Sequence, residues 1–136
     1  MKKIIFLFSV LALTVMSCSS DDDGGGSESQ DPFIGSWRYS TSFEDGVEVP
    51  LDDCESQDTI VISANGTFNT TLHDDFGSGC EVDATVTGTW ENLSSGTYSS
   101  TSEGYTYVQQ VTFTNNTMSI TEVDGGITYR DVFVRL

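Results

Sequence analysis

Within 136 residues the chain places 21 acidic side chains against five cations, a formal charge of −16. So negative a surface excludes nucleic acid and anionic lipid head groups as partners, because both need clustered positive charge. Two of the five cations are Lys2 and Lys3; past them only Arg38, Arg130 and Arg135 remain, near −18 in net charge, and no lysine is left for Schiff-base chemistry.

Lys2 and Lys3 open an almost wholly apolar run from Ile4 to Met16. The run falls short of the ~20 residues a spanning helix needs and has the form of a signal-peptide core. It ends in Val15-Met16-Ser17-Cys18, which resembles the lipobox of bacterial lipoproteins. That resemblance implies removal of residues 1–17 and lipidation of Cys18 as the first mature residue. Residues 18–32 carry Asp21-Asp22-Asp23 and Gly24-Gly25-Gly26 and read as a solvated acidic tether, with a reach of roughly 20 Å. The Ser-Asp-Asp-Asp run resembles the export tag of surface lipoproteins in certain Gram-negative bacteria, and implies an outer-membrane protein anchored by lipid and displayed outward.

Residues 33–136 form the remaining unit, about 100 residues long and enough for one domain with a modest core. Val, Ile, Thr, Tyr and Phe alternate with polar residues throughout, and no segment sustains a helical period. Eight strands are predicted, over 34–43, 59–63, 67–73, 81–91, 97–102, 105–114, 117–123 and 127–136. Asn65-Gly66, Glu103-Gly104, Asn115-Asn116 and Gly125-Gly126 suit tight hairpins. Successive hairpins make a meander, and closing it into an up-and-down barrel removes both free edges. The connection 44–58 is long enough for a flap or short helical lid over the open end.

Gly35-Ser36-Trp37 at the start of the first strand and Arg135 at the end of the last resemble the lipocalin pattern. There the arginine packs across the tryptophan. Asn65-Gly66-Thr67-Phe68 and Gly88-Thr89-Trp90 resemble motifs of short lipocalin-like domains in bacterial surface lipoproteins. The resemblance implies an all-β, eight-stranded antiparallel barrel that binds a small hydrophobic ligand. Closure offers its own argument: the last strand must pair with the first, which brings Arg135 to Trp37 and leaves Arg130 farther up on the opposite face.

Cys54 and Cys80 flank the hairpin whose tip is Asn65-Gly66, and in an exported protein they are expected to pair, stapling its open end. The loop-closure argument values such a ring at about 3.5 kcal/mol. A metal site is disfavoured, since His73 is the one histidine and no Cys-x-x-Cys exists. Calcium would have to use Asp52, Asp53, Asp74 and Asp75, which lack the alternation of a dedicated loop and read better as a solvated rim.

The candidate cavity side chains are Tyr39, Phe68, Trp90 and Tyr98, then Tyr105, Tyr107 and Phe113, aromatic residues on the predicted inner face. Along the last strand, Val132 and Val134 compete with Tyr129 and Phe133 for that face. Catalysis finds no constellation: His73 stands beside Asp74 and Asp75 in a loop-like setting. The expectation is a monomeric, non-enzymatic carrier without a cofactor, touching the membrane through its lipid only. The alternative is a filled barrel that binds glycan or protein through its loops. Asp58-Thr59-Ile60 also resembles a bacterial O-glycosylation acceptor.

Overall fold

The computed structural model describes residues 29–136; the signal segment and Cys18 lie outside them. The strands are β1 (Gly35–Glu44), β2 (Val47–Val49), β3 (Thr59–Ile62), β4 (Thr67–Asp75), β5 (Cys80–Ser94), β6 (Thr97–Ser102), β7 (Tyr105–Thr114), β8 (Thr117–Asp124) and β9 (Ile127–Arg135). A 3₁₀ turn, Glu55–Gln57, precedes β3. Neighbours in sequence pair antiparallel from β3 to β9, and β9 returns to pair with β1. The result is a closed eight-stranded up-and-down barrel, with the short β2 laid beside the upper end of β1.

The hairpins form where the residues tolerate positive φ. Asn115 stands at φ 54° and the Gly125-Gly126 pair at 58° and 88°, the mirror-image turns whose twist matches that of the strands. A further turn of this kind, Asp45-Gly46, makes the β1–β2 hairpin inside what reads as an irregular loop. It is tied to β9, with Asp45 Oδ1 accepting from the Thr128 amide at 2.9 Å.

The segment 44–58 does not cover the mouth. β3 has four residues between neighbours of ten and nine, so the wall is incomplete above it. The 3₁₀ turn packs against β1 and β4 and fills that gap. The Tyr39 amide donates to the Asp58 carbonyl at 2.9 Å, and the His73 amide to Asp58 Oδ1 at 2.7 Å. The expected lid is thus a patch in the side wall. A disulfide between Cys54 and Cys80 fixes the patch to the top of β5, with Cα atoms 5.1 Å apart.

The core is concentrated at the end where β1 begins. Trp37 is 1% exposed and Met118 fully buried, joined by Phe33, Ile62, Tyr98, Val111 and Phe133. Trp37 and Arg135 are register partners, with the guanidinium carbon 4.1 Å from the indole centroid. Arg130 instead packs outside over Phe43, at 4.0 Å, as the strand period requires.

Candidate ligand-binding cavity

The end of the barrel at Trp37 is sealed by the chain segment that enters β1. Phe33 turns inward and packs its ring 4.4 Å from that of Tyr98 and 5.3 Å from that of Trp90. Its carbonyl accepts from Trp37 Nε1 at 2.9 Å. Arg135 donates to the Ile34 carbonyl at 3.0 Å and the Pro32 carbonyl at 2.9 Å, so one side chain closes the seal from outside. Gly35 is needed there: it has φ 149°, and the guanidinium occupies the space a Cβ would take. Asp31 completes the seal, accepting from the Tyr98 hydroxyl at 2.8 Å and from Asn92 at 2.7 Å. Asp31 and Pro32, read from sequence as tether, therefore belong to the barrel's base.

Above Phe33 the barrel is hollow, with a cavity of about 220 Å³. Its lower wall is apolar, made by Phe33, Ile60, Ile62, Phe68 and Trp90; its upper part adds Thr70, Ser100, Gln109 and Asp131. Phe68 can lie against the wall because Gly88 faces it, and a Cβ at residue 88 would stand 2.6 Å from the ring. Trp90 satisfies its indole N–H on the Ser63 carbonyl at 2.9 Å and so presents only an apolar face.

Asp131 is the charged group of this cavity. Its Oδ1 accepts from the Tyr39 hydroxyl at 2.7 Å and from Ser42 Oγ at 2.9 Å, while among the described residues no donor reaches Oδ2. Tyr39 in turn stacks on Phe133, with centroids 5.1 Å apart. Burial above all, and the bond to Asp131 with it, hold the Tyr39 phenol protonated well above the ordinary tyrosine range, although Ser42 pulls the other way. A bulge between Tyr39 and Thr41 sets Ser42 opposite Asp131, which is why both donors reach one carboxylate.

The sequence-predicted cavity residues divide by height. Phe68 and Trp90 line the cavity directly. Tyr98 and Phe113 lie below it, in the packed base with Phe33, and Tyr39 reaches it through Asp131. Tyr105 and Tyr107, expected to line the cavity, do not: they share the inward parity of Gln109 and Val111 but stand at the mouth, 67% and 51% exposed, outside the lining of this cavity. In β9 the inner face belongs to Phe133, with Tyr129 and Asp131 on the same side.

His73 is not in a loop but in β4, with Nδ1 3.3 Å from Asp58 Oδ1, a structural contact holding the wall patch. Asp58 Oδ1, which also accepts from the His73 amide, belongs to the acceptor-like Asp58-Thr59-Ile60, whose threonine begins β3. Asp52 Oδ1 accepts from the amides of Cys54 and Glu55, and Asp75 Oδ1 from those of Gly77 and Gly79. Those carboxylates shape loops, and among the described residues no group of three or more His, Cys, Asp or Glu side chains is placed to hold a metal ion.

A meander closed on itself, plugged at one end and hollow above the plug, defines an up-and-down barrel with an internal cavity. The model of the lipocalin-like domain family matches residues 33–120, and the chain belongs to that family. No curated protein matches the chain. The strand that closes the barrel, β9, lies past the matched span, and its pairing with β1 is supplied by the structure.

Proposed function

We propose that this protein is a lipid-anchored, non-catalytic carrier that holds a small apolar molecule inside its barrel, at the outer membrane and facing outward. The observation that carries the reading is the cavity of about 220 Å³ above Phe33, with apolar walls and a few convergent polar groups. A filled barrel acting as an interaction module is the weaker reading, because its interior would have to be packed where this one is hollow. The anchor rests on Cys18 and the apolar run before it.

Native mass spectrometry of the protein after exposure to a lipid extract tests the carrier. A retained lipophile of low mass is expected, displaced by a small aromatic competitor. No adduct, together with no binding of an apolar dye, would overturn it. Membrane fractionation of cells expressing Cys18→Ser tests the anchor separately: the variant should leave the membrane fraction, and unchanged retention there would refute the lipidation.

A further inference from the structure

Among the described residues the cavity is lined by one carboxylate, Asp131, and by no arginine or lysine. Arg38 lines a groove outside β1 and β9, Arg130 covers Phe43, and Arg135 caps the base over Trp37. Asp131 is therefore held at the cavity by two neutral donors, with Oδ2 free of any partner among the described residues. The walls below it are aromatic and aliphatic, and Thr70, Ser100 and Gln109 share the upper part of the cavity with it. A carboxylate oxygen with no partner facing a cavity can accept a charge-assisted hydrogen bond, which is stronger from a cationic donor than from a neutral one.

From this geometry we infer that the cavity selects an apolar organic cation: a single aromatic ring on a short alkyl chain ending in an ammonium. This rests on the carrier reading and specifies its ligand. Size sets the ring count. A dry cavity of about 150 Å³ takes a benzene, and drug-sized ligands need roughly 300 Å³ or more, so about 220 Å³ fits one ring with a short chain. The ring lies between Phe68 and Trp90. The ammonium donates to Asp131 Oδ2 at the cavity wall. The field of a chain with a formal charge of −16 concentrates cations at the mouth and repels organic anions.

Calorimetric titration with three probes of similar size tests the inference: 2-phenylethylamine, neutral propylbenzene and anionic phenylacetate. The amine should bind about 10- to 100-fold more tightly than propylbenzene, the range of a charge-assisted hydrogen bond, and phenylacetate should not bind. Asp131→Asn should abolish the preference for the amine over propylbenzene. Equal binding of amine and propylbenzene would overturn the cationic ligand and leave the carrier standing. Absence of binding by both would remove the two together. The three-probe comparison on the unaltered protein decides between these outcomes without the variant.

Discussion

Replacing Arg135 by alanine removes the outer half of the base seal. The side chain makes one cation–π contact, at 4.1 Å over an indole that is 1% exposed, and donates to two carbonyls of the entering segment. The contact contributes about 0.5–2 kcal/mol. Each hydrogen bond, partly replaced by water because Arg135 itself is exposed, adds about 0.5–1 kcal/mol. A loss of about 2–3 kcal/mol is expected, and in a domain of this length that lowers Tm by roughly 10–15 °C. Urea unfolding followed by the fluorescence of Trp37 and Trp90 measures it, with a red shift of the native spectrum as water reaches Trp37. Arg135→Lys should recover less than half, because an ammonium lacks the planar fork that stacks on the ring while reaching both Ile34 and Pro32. A change within about 0.5 kcal/mol, the range of an ordinary surface substitution, would refute the seal.

Two further outcomes follow from the same geometry. Replacing both Cys54 and Cys80 by serine should cost about 3.5 kcal/mol by loop-closure entropy, and should raise amide exchange first around the 3₁₀ turn, the patch that the disulfide holds. Alkaline pH should destabilise the fold. The Tyr98 phenol is raised above its ordinary range by burial first, and by its bond to Asp31 and that carboxylate's charge. The stability it contributes is whole below about pH 10 and is lost as pH climbs towards the folded value, by up to about 1.4 kcal/mol per unit. Tyr98→Phe should flatten that slope in urea titrations, and an unchanged slope would contradict the assignment.

The architecture was legible because strand period and turn chemistry agree along the chain. Closure then followed from edges, and the meeting of Trp37 with Arg135 followed from closure. Elements outside that grammar were not legible. Phe33 precedes the first strand and takes part in no alternation, so nothing in the sequence marks it as the plug. Asp45-Gly46 carried a hairpin signal, but Val47–Val49 is too short to be read as a strand. In β9 the alternation stayed ambiguous because Asp131, a polar residue, occupies an inward position, and that misfit is the feature of most functional interest. Tyr105 and Tyr107 show the other limit: a period of two gives the face a residue takes, not its height above the barrel floor.

The most direct test of the hollow barrel is a methyl-detected NMR titration of the protein with toluene. Saturable shifts are expected at Ile60, Ile62 and Ile120, whose side chains line the cavity, while the exposed Val61 and Val108 on the outer surface stay in place. Shifts confined to the outer valines, or no saturable shift at the three isoleucines, would contradict the account.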